Sequence, residues 1–244
     1  ASLLNRGKTT IKHIARIEEV FRTIEVLESI GVKFNWLNNK KDLEIISPDD
    51  LNLSNLDITA ARRTRTILMF MGPLLHRATE FELPYAGGCS LGTRSVQPHL
   101  RALSAFGLNV DAVKKSGFYS ASVTEIPTKD KQIVLIERGD TVTENVLMAA
   151  ALFPGKTTII GASANYMVQD VCFFLQKLGV KISGIGSTTL VVEGVKEINK
   201  DIEYSPSEDP IEAMSFIAVA LATHSEITIN RAPIEFLQIE LEIL

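Results

Sequence analysis

The chain has 244 residues, and 25 Lys and Arg against 29 Asp and Glu give it a net charge of −4 at pH 7. This length suffices for one large domain or two smaller ones, and the weak negative charge argues against an extended nucleic-acid interface. Two cysteines, Cys89 and Cys172, cannot form a disulfide framework, and no apolar run reaches the ~18 residues of a membrane span. We therefore expect a cytoplasmic protein with no metal, cofactor, nucleic-acid or membrane partner.

One sequence pattern recurs along the chain. Residues 8–36 and 156–186 both begin with Lys-Thr-Thr-Ile, continue through an amphipathic helix and end in Gly-Val-Lys before a strand. Residues 97–113 repeat the helix, glycine and strand of this pattern. The three glycines that follow these helices lie 76 and 72 residues apart: Gly31, Gly107 and Gly179. This spacing predicts three structural repeats, with each glycine in the left-handed conformation that ends a helix.

A second type of helix precedes the first strand of each following repeat. These helices are predicted at 63–78, 143–154 and 211–224, and each is apolar on nearly every face, which indicates burial on all sides. Alternating patterns at 117–126 and 188–195 predict strands. Each repeat is thus a buried helix, a strand, an amphipathic helix and two strands. Three of them are expected to close into one α/β lobe, with sheets outside and helices inside.

The two ends of the sequence resemble parts of further repeats. Residues 1–7 have the composition of the end of a buried helix, and residues 225–244 start another repeat. The polar, proline-containing stretch 203–210 is typical of a connector between lobes. We expect residues 1–204 to form a first lobe and 205–244 to form a linker and an incomplete second lobe, so that the chain is part of a longer protein. A self-contained domain with ragged ends is the alternative.

The stretch 65–107 resembles the UDP-N-acetylglucosamine enolpyruvyl transferase family. That family has an arginine, a buried helix with Gly-Pro-Leu, then Pro-Gly-Gly-Cys, and a downstream run containing Arg, Val and His. The distance from Gly72 to Cys89 fits without a gap, and these residues fall in register with the family motif: Cys89, Gly92, Arg94, Val96 and His99. The likeness covers nearly the whole chain, as roughly the first half of the family's enzyme.

The resemblance implies a fold of two lobes, each an inverted (inside-out) α/β barrel lobe of three βαβαββ-type repeats, with the site between the lobes. It implies transfer of the enolpyruvyl group from phosphoenolpyruvate to the 3-hydroxyl of UDP-N-acetylglucosamine, with release of phosphate. These two substrates are the expected partners. The family's aspartate base and further arginines lie in the second lobe, so we expect this chain alone to be inactive.

The same resemblance assigns the chemistry of phosphoenolpyruvate to three residues. Cys89 matches the family's general acid, and Gly87 and Gly88 would let its loop close over substrate. Arg94 matches a phosphate clamp, because a guanidinium binds oxyanions with two parallel hydrogen bonds. Arg65 matches another arginine that reaches the site. The alternatives are an inert buried cysteine and two solvated arginines, Arg65 being one of a basic cluster with Arg62 and Arg63.

Substrate-binding positions also follow from the resemblance, but several differ from the family pattern. The expected contacts are Ser95, Val96, Gln97, His99, Arg138, Asp140 and Thr141. Ser95 stands in place of a proline and Gln97 in place of an aspartate that helps to hold the uridine. Asp140 would bring a negative charge to the region of the substrate diphosphate. His99 could equally be a hydrogen-bonded histidine at the start of a helix.

Two other functions fit parts of the sequence. The related shikimate-phosphate enolpyruvyl transferases share the lobe architecture but lack the Gly-Gly-Cys loop, so Cys89 argues against them. A degenerate, non-catalytic relative that binds a nucleotide sugar or a protein would account for the substituted positions, which include Ala86 in place of a proline.

Overall fold

A computed structural model describes residues 1–85, 95–113, 117–124 and 128–244. These residues divide into two units, Ala1–Ser205 and Pro206–Leu244. Within the described residues, the first unit has three sheets, two of four strands and one of three. No helix in the described ranges is long and apolar enough to cross a membrane.

The three sheets have closely related strand orders. The first is β11-β1-β3-β2, the second β4-β6-β5 and the third β7-β8-β10-β9. The strand bounds are β1 Lys8–Ile11, β2 Lys33–Leu37, β3 Asp42–Ile46, β4 Glu80–Pro84, β5 Leu108–Val113, β6 Phe118–Val123, β7 Lys131–Val134, β8 Lys156–Ile160, β9 Lys181–Ser183, β10 Thr189–Glu193 and β11 Ile202–Tyr204.

The helices alternate with these strands. Their bounds are α1 Glu18–Ser29, α2 Ile58–Arg62, α3 Met71–Leu74, α4 Gln97–Ser104, α5 Asp140–Ala151, α6 Tyr166–Leu178, α7 Pro210–Ala222 and α8 Gln238–Ile243. Short 3₁₀ turns span Ser2–Leu4, Leu53–Asn55, Arg65–Phe70 and Ile234–Phe236.

The predicted threefold repetition is confirmed. Each repeat runs strand, amphipathic helix, then an antiparallel hairpin, as in β1-α1-β2-β3 and its two counterparts. The glycines after the three amphipathic helices have φ values of 100° at Gly31, 87° at Gly107 and 104° at Gly179. Side chains strongly disfavour this left-handed conformation, which explains why glycine recurs there.

Parallel pairing links one repeat to the next. The strand β7, which follows the second repeat, pairs in parallel with β8 of the third repeat. The strand β11 follows the third repeat and returns to pair in parallel with β1, where Thr9 lies opposite Ile202. The end of the first unit is therefore hydrogen-bonded to its beginning, and the sheets surround a single core of buried helices.

The buried helix at 143–154 is confirmed, whereas the one at 63–78 is not continuous. Helix α5 is buried along nearly its whole length. Residues 65–70 instead form a 3₁₀ turn that leads into the four-residue helix α3. Pro73 has no N–H to donate and its ring would clash with the carbonyl four residues earlier, so a regular α-helix cannot run through this position.

The prediction that the helix at 211–224 is buried on all sides was wrong. It forms as α7, but Ile211 is 62% exposed and Val219 is 61% exposed. The second unit is short, and chains below about 40 residues rarely form a sufficient core by themselves. The interpretation of this unit as the start of a second lobe remains a prediction.

Gly72 is predicted to be intolerant of a side chain because α3 and α5 are in close contact. A Cβ atom at Gly72 would lie 2.6 Å from the carbonyl oxygen of Asn145, a backbone atom that cannot rotate away. We expect Gly72→Ala to lower the free energy of unfolding by about 1–3 kcal/mol, measured in urea. Gly139→Ala is the control, since its Cβ would meet only side-chain atoms among its three nearest neighbours, the Cγ1 of Val142 at 3.3 Å and the carboxyl of Glu137 at 3.5 Å. Equal losses in the two variants would contradict the prediction.

Candidate active site

The three arginines of the basic cluster, at the start of the segment 63–78, lie in three different environments. The guanidinium of Arg62 lies 5.4 Å from the ring centroid of Phe118, and that of Arg63 lies 3.7 Å from the carboxylate of Glu18. Arg65 is half-buried and begins the 3₁₀ turn, one residue after the cap Thr64. Of these three arginines, Arg65 is the one whose charge acts on His99, another predicted site residue.

Arg65 lies within electrostatic range of His99 on α4 and Tyr119 on β6. Its positive charge lowers the pKa of His99 and partly offsets the rise in the pKa of Tyr119 that burial and Tyr85 cause. The rings of Tyr85 and Tyr119 are in contact, with centroids 4.6 Å apart. Since Tyr85 is the last described residue before 86–94, Arg65 lies near the point where the predicted catalytic loop starts.

His99 is buried and both of its ring nitrogens have partners. Its Nδ1 is 3.1 Å from the Nδ2 of Asn145, and its Nε2 is 3.4 Å from the hydroxyl of Thr141. Asn145 is completely buried on α5. Its Nδ2 also donates to the carbonyl of Leu68, and its Oδ1 accepts from the N–H of Gly72. One amide side chain thus connects α5 with α4 and with the segment before α3.

This network determines the tautomer of His99. The amide orientation of Asn145 is set because its oxygen must face the N–H of Gly72, so its Nδ2 donates to the imidazole Nδ1. The proton of the neutral ring is consequently on Nε2, which donates towards Thr141. Burial, followed by the charge of Arg65, lowers the pKa of His99 to about 4. His99 is therefore neutral at pH 7 and acts as a hydrogen-bonding group.

The predicted substrate residue Asp140 is engaged in local hydrogen bonds at the start of α5. Its carboxylate accepts from the hydroxyl of Ser163 at 2.5 Å and from the Nδ2 of Asn165 at 3.0 Å. A carboxylate at this position also satisfies the positive end of the helix dipole. Arg138 is exposed two residues earlier. The start of α5 therefore already holds an anionic group that belongs to the chain.

The other end of the predicted catalytic loop is the start of α4. Ser95 is exposed and its hydroxyl accepts from the N–H of Gln97, the first residue of the helix. Val96, which precedes the helix, is half-buried, and Gln97 is exposed. Ser95 therefore has a local role in starting the helix, in addition to any role towards substrate.

The structure brings together only some of the predicted residues. Arg65, His99 and Thr141 share one environment, whereas Asp140 is directed towards Ser163 and Asn165. Cys89 and Arg94, the residues predicted to act directly on phosphoenolpyruvate, lie outside the described residues.

Cys172 is a core residue. Its side chain is fully buried, and burial, together with the charge of Glu144, raises the pKa of its thiol to about 12. A thiol in this environment is not reactive at neutral pH. In the described part of the chain, no group of three or more His, Cys, Asp and Glu side chains could hold a metal ion.

Asn145 was not identified from the sequence, although a signal was available. It is a polar residue in the middle of the apolar run TENVLMAAAL, at a position that the helical pattern places in the core. A buried amide requires hydrogen-bond partners, so such a residue indicates a contact with another segment. The partners themselves lie 46 to 77 residues away in sequence, which the pattern does not reveal.

Comparison with known families gives a match over the entire chain. The model of the family described as EPSP synthase (3-phosphoshikimate 1-carboxyvinyltransferase) matches residues 1–244. The chain is 33% identical to the UDP-N-acetylglucosamine 1-carboxyvinyltransferase of Treponema denticola over 230 residues, 94% of this chain and 52% of that protein. It is also 33% identical to UDP-N-acetylglucosamine 1-carboxyvinyltransferase 1 of Clostridium acetobutylicum, over 94% of this chain and 54% of that protein. The chain spans about half the length of these curated relatives.

Solved structures share the fold at lower sequence identity. The enolpyruvyl transferase NikO from Streptomyces tendae superposes with a TM-score of 0.73 at 16% identity, covering 90% of this chain and 50% of that chain. An EPSP synthase from Acinetobacter baumannii gives a TM-score of 0.65 at 16% identity, covering 90% and 49%. The predicted α/β lobe architecture is thereby confirmed.

Truncating Asn145 is predicted to destabilise the lobe. Asn145→Ala would leave the N–H of Gly72 and the Nδ1 of His99 without their partner, and would remove one of the two bonds to the carbonyl of Leu68, which also accepts from the N–H of Met71. We expect the free energy of unfolding to fall by about 3 kcal/mol or more. Asn35→Ala is the matched control, because the exposed Asn35 donates a single bond to Glu44 and should cost less than about 1 kcal/mol. Urea denaturation of both variants measures the difference, and similar losses would rule out the proposed importance of the network.

The protonation of His99 is predicted to make stability depend on pH. Its pKa falls from 6.5 to about 4 in the folded chain, so the unfolded chain binds the extra proton between these values. The contribution of His99 to the free energy of unfolding is therefore fully present above pH 6.5 and is lost as the pH falls towards 4. Relative to His99→Gln, the unchanged chain should lose up to about 1.4 kcal/mol more per pH unit in this window. Parallel unfolding curves at pH 7, 6 and 5 for both proteins would show the difference, and identical slopes would contradict it.

Proposed function

The chain belongs to the EPSP synthase family, and from this premise we propose that it provides the first-lobe half of a UDP-N-acetylglucosamine carboxyvinyltransferase. In that reaction the 3-hydroxyl of the sugar loses its proton and adds to C2 of phosphoenolpyruvate, while a proton adds to C3. Phosphate then leaves from C2 and a proton leaves from C3, which forms the double bond of the enol ether. The named curated relatives support this substrate pair over shikimate 3-phosphate.

One structural observation carries the proposal. Arg65 is half-buried beside His99 and Tyr119, next to the position where the chain enters residues 86–94. A guanidinium in a partly desolvated environment binds an oxyanion more strongly than one in bulk water, because the local dielectric is lower. Arg65 is therefore suited to bind the phosphate or carboxylate of phosphoenolpyruvate. The neutral His99 orients this region without adding a competing positive charge.

The residues outside the described ranges would complete the chemistry. Cys89 would donate the proton to C3 of phosphoenolpyruvate, and Arg94 would clamp the phosphate with Arg65. Substrate anions near Cys89 would raise the pKa of its thiol, while the two arginines would lower it. A proton donor works best when these opposing effects leave its pKa near the working pH.

A second candidate function rests on Asp140. Its carboxylate holds Ser163 and Asn165 at the start of α5, where the resemblance predicts the substrate diphosphate. A fixed negative charge at this position would oppose the binding of a diphosphate. This observation favours a non-catalytic relative that has lost nucleotide-sugar binding but has kept the fold.

Selective alkylation distinguishes the two functions. A small phosphonate epoxide that mimics phosphoenolpyruvate should label one thiol per chain, because Cys172 is buried and its thiol has a pKa of about 12. Under the transferase proposal, phosphoenolpyruvate blocks the labelling of Cys89, and Arg65→Met slows it by about tenfold or more, the loss expected for one charge-assisted contact. Peptide mapping by mass spectrometry identifies the labelled residue and measures the rate.

Arg63→Met is the control for Arg65→Met, since Arg63 is an exposed neighbour whose guanidinium faces Glu18. It should leave the labelling rate unchanged. Labelling of Cys89 that ignores both phosphoenolpyruvate and Arg65 would overturn the transferase proposal in favour of the non-catalytic relative.

A further inference from the structure

Among the described residues, the second sheet has no counterpart of one strand that the other two sheets possess. The first strand of the first repeat, β1, pairs in parallel with β11, and the equivalent β8 pairs in parallel with β7. The equivalent strand of the second repeat is β4, and among the described strands it pairs only with β6. Within the part of the chain that the structure describes, one outer edge of β4 therefore has no strand partner, where the fold elsewhere places a strand.

The chain before β4 takes a different course from its counterparts. The strand β7 lies in residues 124–139, between β6 and α5, and β11 lies in residues 194–209, between β10 and α7. The equivalent stretch after β3, residues 47–57, instead contains a 3₁₀ turn at Leu53–Asn55. This stretch therefore provides no strand for β4.

The pairing of β4 with β6 shows which backbone groups remain available. The N–H of Val123 donates to the carbonyl of Thr79, and the N–H of Tyr85 donates to the carbonyl of Gly117. Odd-numbered residues of β4 therefore bond to β6, because hydrogen-bonded pairs alternate in an antiparallel ladder. The even-numbered Glu80 and Glu82 direct their N–H and C=O groups to the open edge. Pro84 is also even-numbered, so its missing N–H costs no bond to β6.

A polar, acidic hollow lies over this sheet, and its lining extends from β4 across β6 to β5. It has a volume of about 560 Å³ and is lined by Leu53, Ser54, Glu80, Phe81, Glu82, Asp111, Ser120, Ala121 and Ser122. Three of these residues carry carboxylates, and none of the described lining residues is basic. The charge of the hollow is complementary to lysine or arginine side chains.

The strands that fill the equivalent edges indicate what sequence would fit. Each places an isoleucine inward, Ile133 in β7 and Ile202 in β11, which are 5% and 8% exposed. The outward Glu203 of β11 lies 3.4 Å from Lys12, so charges of opposite sign meet on the outer face of a filled sheet. An occupant of the β4 edge would correspondingly present an apolar residue inward and basic residues outward, towards Glu80 and Glu82.

We propose that the open edge of β4 binds an extended segment of a partner protein, as a parallel strand with alternating basic and apolar residues. Main-chain hydrogen bonds to Glu80 and Glu82 would hold the segment, and the acidic hollow would select its side chains. A second copy of this chain is a poor occupant through the same edge, because pairing of β4 with β4 would bring the glutamates together and would meet Pro84. The proposal does not depend on the carboxyvinyltransferase activity.

The test uses the full chain and a fluorescein-labelled peptide, Lys-Ile-Lys-Ile-Lys, with Glu-Ile-Glu-Ile-Glu as the control, in a fluorescence anisotropy titration. We expect binding of the basic peptide only. Glu82→Gln removes a charge but keeps the N–H, and should weaken binding about two- to fivefold at low salt. Glu82→Pro also removes the outward N–H without affecting the bonds to β6, and should weaken binding about tenfold further.

Two variants make the result independent of folding defects. Glu80→Pro removes the other outward N–H and should reproduce the loss, and Glu28→Gln on α1 makes the same charge change elsewhere and should have no effect. Unfolding midpoints confirm that each variant is folded. Equal binding of the acidic peptide, or equal effects of Glu82→Gln and Glu82→Pro, would overturn the proposal. So would self-association of the chain, seen by sedimentation, that Glu82→Pro abolishes.

Discussion

The buried amide of Asn145 is the interaction on which the organisation of the site depends. It satisfies the carbonyl of Leu68 and the N–H of Gly72 while it holds the imidazole of His99 in a single tautomer. The segment that starts at Arg65 changes from a 3₁₀ turn to the short helix α3, and near this junction the N–H of Gly72 finds its partner in another element, at Asn145. By fixing this segment against α5 and α4, Asn145 also fixes Arg65 beside His99. Stability and the geometry of the candidate site therefore have a common cause.

In the threefold architecture, the strand that follows a repeat pairs with the sheet of another repeat. Each hairpin is local, but the strand after it is donated to the sheet of the next repeat, as β7 and β11 show. This donation makes the three sheets interdependent, so the lobe behaves as one core rather than as three small ones. The second sheet departs from this rule among the described residues, because the stretch after β3 contains a 3₁₀ turn at Leu53–Asn55 and adds no strand to β4.

Much of the fold could be predicted from the sequence because its signals are local and repeated. The glycines at the ends of the amphipathic helices, such as Gly179, mark positions where the backbone geometry demands that residue. The break at Pro73 was also available in the sequence, but the apolar pattern around it indicated a continuous helix. The exposure of α7 could not be predicted, because an apolar pattern reports what a helix can bury and not whether a partner is present.

The candidate site was less accessible to prediction than the fold. The resemblance identified Arg65 and His99, and the structure brings them together. It did not indicate that Asp140 forms bonds with Ser163 and Asn165, since these residues lie 23 and 25 positions away and their contact depends on how α6 packs. Asn145 was missed for the same reason. Side chains that bridge distant segments leave only a weak trace in a single sequence, namely a polar residue where an apolar one is expected.

The return of β11 to β1 has a consequence for how the protein is made. The side chain of Asn5 donates to the carbonyl of Lys200, 195 positions later, and the neighbouring strands pair at the same point. At a synthesis rate of about 5–20 residues per second, the first strand waits roughly 10 to 40 seconds on the ribosome for its partner. Throughout that interval, β1 of the nascent chain lacks its parallel partner β11. The pairing that joins the end of the first unit to its beginning is therefore necessarily a late event in synthesis.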